Sequence, residues 1–267
     1  MPPVCLINPS ASEAIGRRAG GQILRGNSRY ACPLPGRYIN RLCLLSLIFS
    51  SAVMAEPASI AHQQASPVVA LFDGSSLAAW RGYQLPHLPQ GWVIEGETLM
   101  FNGKRGHGKS KNLITREKFG DFDLQLEWKI SKGGNSGVMY LVSEDAPHPY
   151  FSGPEYQILD NKNHRAGDKK LHQTSALYAL YPATTDPKPV GEWNSTRIRH
   201  KQGTIEHWLN GKLIVKAQIG NDDWNTRVAN SKFKDRKRFG KNKAGHIALQ
   251  DHGDEIWFRN IKIQRLE

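Results

Sequence analysis

Nine residues of strict alternation form the clearest pattern in the chain. Phe122, Leu124, Leu126, Trp128 and Ile130 are apolar, and Asp123, Gln125, Glu127 and Lys129 between them are polar. Side chains alternate across a strand, so this spacing predicts a half-buried strand over 122–130. Further runs that read as strands lie at 68–72, 92–94, 98–101, 136–142, 155–159, 196–200, 204–209, 213–217, 245–252 and 256–266. In 136–142 the alternation puts Val138, Tyr140 and Val142 on one side. Gln202-Gly203 and Asn210-Gly211 predict hairpin turns, the second strongly, because both turn positions need positive φ. A single short helix is expected near 222–228, capped by Asn221 or Asp222. Many short strands with at most one or two short helices predict an all-β fold, a two-sheet antiparallel sandwich of the jelly-roll type.

The first 55 residues do not fit that pattern. Arg37 and Arg41 precede the apolar run 42–49, and small residues follow up to Ala55. This is the order of a signal peptide, with cleavage expected near Ala55 and export to the periplasm or the extracellular space. The run is too short to span a membrane comfortably, so no stable membrane anchor is expected. The 36 residues ahead of Arg37 are long for a charged leader, which suggests a true start downstream at a non-Met codon. The expected organisation is a targeting segment at 1–55, a flexible leader at 56–67 and one sandwich domain at 68–267. Cys5, Cys32 and Cys43 all fall in the first segment, so the exported chain is expected to hold no disulfide.

Charge adds one local feature. The formal net charge is +12, and residues 1–55 alone carry six arginines against one acid. A second concentration lies between Arg227 and Lys243, where eight basic residues face Asp235 alone. Such a run can bind polyanions. Without a nucleic-acid motif beside it, it reads as a solvated loop, and no nucleic-acid partner is expected. The Gly- and Lys-rich stretch 102–112, with His107, lacks the ending of a phosphate loop and reads as a mobile loop.

Candidate chemistry begins at 152–161. Glu155 and Gln157 share one face of the expected strand, and Tyr156 and Ile158 the other. On the strand expected at 245–252, Gln250 and His252 follow Ala248 on one face, while Ile247 and Leu249 face the core. Trp80, Trp193 and Trp224 are candidates for stacking on a sugar ring, although tryptophan is more often core.

Several motifs then occur in a fixed order: Asn135-Ser136-Gly137, Glu155-Tyr156-Gln157-Ile158-Leu159-Asp160, Gly191-Glu192-Trp193-Asn194, Trp208-Leu209-Asn210-Gly211, Leu249-Gln250-Asp251-His252-Gly253 and Phe258-Arg259-Asn260-Ile261. In that order they resemble the 3-keto-disaccharide hydrolase domain family, over about 68–266. The resemblance implies a concanavalin A-like sandwich and a secreted hydrolase of 3-keto-disaccharides or 3-keto-glycosides. Its chemistry would be removal of the C2 proton beside a C3 carbonyl, β-elimination at C1 and hydration. It points to Glu155 and His252 as the catalytic acid and base. Gln157 and Gln250 would bind substrate beside them, with Asp160, Asn135 and His172 at the rim and Trp193 as a further contact. A divalent metal held by Glu155 and His252 could polarise the ketone, but no ligand spacing here is diagnostic. A sugar 3-oxidoreductase is the implied upstream partner.

Two other readings stay open at this point. A laminarinase-type glycosidase needs Glu-x-Asp-x-x-Glu, and here the run is Glu155-x-Gln157-x-x-Asp160. A non-catalytic carbohydrate-binding module is compatible with the same fold.

Overall fold

The computed structural model describes residues 66–103 and 112–267. The 1–55 segment with its cysteines and the cleavage position, most of the 56–67 leader, and His107 lie outside them. The strands are β1 (Val68–Phe72), β2 (Trp80–Gly82), β3 (Trp92–Glu95), β4 (Thr98–Phe101), β5 (Leu113–Thr115), β6 (Phe122–Ile130), β7 (Asn135–Val142), β8 (Glu155–Leu159), β9 (Asn194–Lys201), β10 (Thr204–Leu209), β11 (Lys212–Gln218), β12 (His246–Leu249) and β13 (Ile256–Arg265). Among the described residues one α-helix, α1 (Asp222–Ala229), interrupts them. Asn221 caps it by accepting from the Trp224 N–H at 2.8 Å.

The strands form two antiparallel sheets. The larger has the order β11-β10-β9-β6-β13-β4-β3, with β1 also paired to β13, and the smaller has the order β2-β5-β12-β7-β8. The alternation of β6 is realised: its five apolar side chains are buried in the shared core. Both expected hairpin turns form, with positive φ at Gln202, Gly203, Asn210 and Gly211. From the smaller sheet, Val138, Tyr140, Tyr156, Ile158, Ile247 and Leu249 also face the core. Their alternates therefore point outward, away from the larger sheet.

A polar bridge crosses the core. His207 on β10 reaches Tyr140 on β7, with the Tyr140 hydroxyl 2.8 Å from Nε2. Its Nδ1 lies 3.1 Å from the Ser175 carbonyl, which can only accept, so Nδ1 carries the proton and Nε2 accepts from the tyrosine.

One expectation about β7 fails. Val142 does not share a side with Val138 and Tyr140; it packs with Met139 and Ala248 on the outer face. The cause is a bulge. His246 pairs with Val142 and Ala248 with Met139, so β7 holds one extra residue there. Leu141 takes up the distortion at φ 56°. Gly245 permits it, because a Cβ at that position would stand 2.2 Å from the Leu141 carbonyl carbon.

Candidate active site

The outer face of the smaller sheet carries the polar constellation. Glu155 pairs with Met139, and Gln157 with Gly137. Across β12, Ala248 lies beside Met139 and the Gln250 N–H donates to the Gly137 carbonyl at 2.9 Å. Glu155, Gln157 and Gln250 therefore lie on one face around Gly137. Gln157 is fixed by donating from Nε2 to Asn135 Oδ1 at 2.8 Å.

Glu155 is only 5% exposed. Its burial raises its pKa to about 7, against the pull of the Lys232 charge and a hydrogen bond from the Gln250 side chain. The Gln250 amide suits both states of this carboxyl. Turned one way, its N–H donates to the carboxylate; turned the other, its oxygen accepts from the carboxylic acid. With the amide oxygen turned inward, that buried oxygen has no donor unless the acid supplies one.

Loops close over this face and bring residues that the sequence pattern did not single out. Tyr178 donates its N–H to the Glu155 carbonyl at 3.0 Å. The Lys232 ammonium stands 4.0 Å from the centre of the Tyr178 ring, 5.3 Å from Phe233 and 5.7 Å from Tyr150. The residue as a whole keeps exposed surface, and the rings stand beside its charged end. Burial pulls its pKa below the ordinary lysine value, while Glu155 pulls it up. Tyr150 packs on the floor made by Met139, Val142 and Ala248.

The basic stretch 227–243 is therefore not simply a solvated loop. Phe233 and Phe239 are 2% exposed and stack at 4.0 Å, which anchors it. The Gly240 N–H donates to the Ser152 carbonyl at 2.9 Å and ties the loop beside β8. Arg236 lies 3.5 Å over the Phe151 ring. Two buried phenylalanines among eight cations were the available signal that this segment packs.

The other expected residues divide. His172 lies beside the site, its ring 4.9 Å from Tyr178. Burial and then the charges of Lys169 and Lys232 hold its pKa below the ordinary histidine value. Asp160 is committed to its own turn: it accepts from the Gly133 N–H at 2.7 Å, the Asn163 Nδ2 at 2.8 Å, and the Lys162 and Asn163 N–H groups at 3.1 and 3.2 Å. Burial opposes its charge, but these donors together hold its pKa below the usual carboxylate value.

His252 is not beside Glu155. The strand β12 ends at Leu249, and His252 lies on an exposed loop beyond it. Asp254 on that loop accepts the Asn135 N–H at 3.0 Å. Asn135 pairs with Leu159, four residues from Glu155, a separation of about 13 Å along the strand. The Asp251 carboxylate accepts the Gly253 N–H at 3.0 Å in a local turn, which ends the alternation assumed for 245–252.

Trp193 lies on the opposite side of the molecule. Lys129 and Arg259, on the outer face of the larger sheet, approach its ring to 5.3 and 4.1 Å. Trp80 and Trp224 are core residues, 0% and 2% exposed, so neither can stack on a sugar.

The donor set around Glu155 does not fit a divalent ion. It offers one carboxylate, two amides and an ammonium, and a metal site of hard oxygen or imidazole ligands would not keep a cation at its edge. Among the described residues there is no group of three or more His, Cys, Asp or Glu side chains that could hold a metal ion.

With this geometry in hand, the sequence pattern of the 3-keto-alpha-glucoside-1,2-lyase-like domain family matches residues 67–264. The chain belongs to this family. A protein of Bacteroides thetaiotaomicron, named 3-keto-disaccharide hydrolase, is 38% identical over 227 residues, covering 74% of this chain and 78% of its own. A crystal structure of a candidate glycosyl hydrolase from Parabacteroides distasonis superposes with a TM-score of 0.68 at 32% identity, covering 75% of this chain and 94% of that one. A second from the same organism gives a TM-score of 0.59 at 26% identity, covering 75% and 100%. Of the residues that the resemblance pointed to, Glu155, Gln157 and Gln250 thus fall on one outer face, and Trp193 and His252 fall away from it.

Proposed function

We propose that the protein is an enzyme that cleaves the glycosidic bond of 3-keto-disaccharides by elimination followed by hydration. The observation that carries this reading is the buried Glu155 carboxyl, whose pKa of about 7 suits a group that both takes and returns a proton near neutrality. The names of the family and of the Bacteroides relative support it together. A 1,2-lyase breaks the C1–O bond with formation of a C1–C2 double bond, and a hydrolase adds water; one route contains both.

In this reading Glu155 takes the C2 proton, made acidic by the C3 carbonyl. The C–H electron pair forms the C2–C3 double bond of an enolate. The enolate collapses, the C1–C2 double bond forms, and the C1–O bond breaks with its pair on the leaving oxygen, which takes a proton from water. The resulting hydroxide adds to C1, and Glu155 returns its proton to C2. The sum is one water consumed. An oxidoreductase acting at C3 of the sugar must supply the substrate.

Against a two-carboxylate glycosidase stands the lack, among the described residues, of a second free carboxylate beside Glu155. Gln157 occupies the neighbouring position, and Asp160 is engaged by its turn. The decisive experiment incubates the protein with 3-keto and unoxidised forms of the same disaccharide. Release of monosaccharide from the 3-keto form alone is expected; cleavage of both would favour an ordinary glycosidase. We also propose export with cleavage after Ala55, for which N-terminal sequencing of the exported protein should begin at Glu56.

A further inference from the structure

We propose that Lys232 is a second catalytic residue, whose ammonium receives the negative charge that develops on the C3 oxygen of the substrate. The inference rests on the reading above and extends it to a residue that lies in none of the family motifs.

The chemistry needs such a group. When the C2 proton leaves, the carbonyl π pair moves onto the C3 oxygen, and the same enolate forms again when hydroxide adds to C1. A preorganised cation aimed at that oxygen stabilises both, and such interactions are strongest where water is excluded. The residues around Glu155 do not suit a metal for this role, so the charge must come from the chain.

The geometry points to Lys232. Its ammonium is the cation whose charge acts on the buried Glu155 carboxyl. Among the described residues no direct ion pair joins the two, so their charges act on each other from beyond contact distance. The Tyr178 ring at 4.0 Å and the Tyr150 ring at 5.7 Å flank the ammonium. Phe233, buried against Phe239, fixes the backbone from which it projects. The groups that face the ammonium are Glu155, Tyr178, Tyr150 and the more exposed Arg236, with His172 behind Tyr178. A cation that acts on its neighbouring carboxylate without closing to contact is poorly explained as a stabilising salt bridge. It is well explained as one half of a site whose other half is the substrate.

The test compares wild type, Lys232→Met and Lys232→Arg on a 3-keto-disaccharide, with thermal melts to confirm folding. Lys232→Met is expected to lose about 100-fold or more in kcat with a smaller change in KM, the scale of losing one oxyanion partner. Lys232→Arg, which keeps the charge, should retain more. The acid limb of the kcat/KM profile should move to higher pH in Lys232→Met, because the carboxylate form of Glu155 loses its neighbouring cation. A lysine too far away to act on Glu155 would leave that limb in place, and the loss of kcat separates the oxyanion role from a purely electrostatic one. Near wild-type kcat in folded Lys232→Met, or equal losses in Met and Arg variants, would overturn the role of Lys232 alone. Absence of turnover by the wild type would overturn the functional reading and this role with it.

Discussion

A Cβ on Gly137 would stand 2.3 Å from Oε1 of Glu155 and 3.1 Å from its Cδ. The glycine, opposite Gln157 on the adjoining strand, is what leaves room for the carboxyl to lie flat on the sheet. The clash involves the far end of a flexible side chain, so it can be relieved by swinging the carboxyl aside.

Gly137→Ala therefore separates positioning from stability. The fold should survive with a change in melting temperature of a few degrees. Turnover of a 3-keto-disaccharide should fall by about 100-fold, the scale of losing a positioned acid or base. Wild-type activity in Gly137→Ala would mean that the carboxyl position does not matter.

The pH dependence of stability tests the state of Glu155 without any substrate. Burial raises its folded pKa from the ordinary value of 4.5 to about 7. Between those two values the unfolded chain releases this proton and the folded chain keeps it. The contribution of this group to stability therefore falls as pH rises through that window, and the penalty is complete above it. Glu155→Gln removes the titration. It should be more stable than wild type at pH 8 by on the order of 1–3 kcal/mol, with the difference shrinking toward pH 4. Urea melts across that range measure it, and a constant difference would contradict a raised pKa.

Periodicity carried much of the fold. The strict alternation of β6, the two glycine hairpins and the Asn221 cap follow from local rules, and each appears where those rules put it. The outward phase of Glu155, Gln157 and Gln250 followed from the same period, because their alternates are core. Period two fails where the ladder is broken. The bulge at Leu141 reverses Val142, and the Asp251–Gly253 turn takes His252 off the sheet before the alternation can carry it. Lys232 was hidden for another reason. A lysine in a basic run looks the same whether its ammonium faces water or the Tyr178 ring, and only the long-range packing of Phe233 and Phe239 decides between them.

That distinction divides the basic segment. Lys234 and Lys237 are exposed. Replacing both with Ser should change stability by no more than about 0.5 kcal/mol, as for ordinary surface positions, and should leave turnover unchanged. Phe233→Ala should cost about 3 kcal/mol, the scale of emptying a buried aromatic site. It should also lower kcat, because the loop that carries Lys232 loses its anchor. If the double lysine variant lost activity and Phe233→Ala did not, the segment would be acting through its charge as a whole rather than through one placed ammonium.

The Tyr140–His207 bridge is the last feature to carry a measurable consequence. Burial drives the His207 pKa down from 6.5 to about 3, so the imidazole is neutral in the folded protein. Below pH 6.5 the unfolded chain binds a proton that the folded chain refuses. Stability is therefore lost as pH falls from 6.5 toward 3, and is fully present above that window. Tyr140→Phe leaves the buried Nε2 without its donor and should cost about 1–3 kcal/mol at neutral pH, the penalty for an unsatisfied buried acceptor. His207→Phe in the Tyr140→Phe background removes the acceptor as well and should recover part of that loss, because two apolar groups no longer leave a polar atom unpaired. It should also flatten the slope between pH 3 and 6.5. Guanidinium melts of the three proteins at pH 4.5 and 7.5 measure both effects. If Tyr140→Phe cost nothing, the hydroxyl would not be the partner of Nε2; if the slope were the same with and without His207, the histidine would not be held neutral by the core.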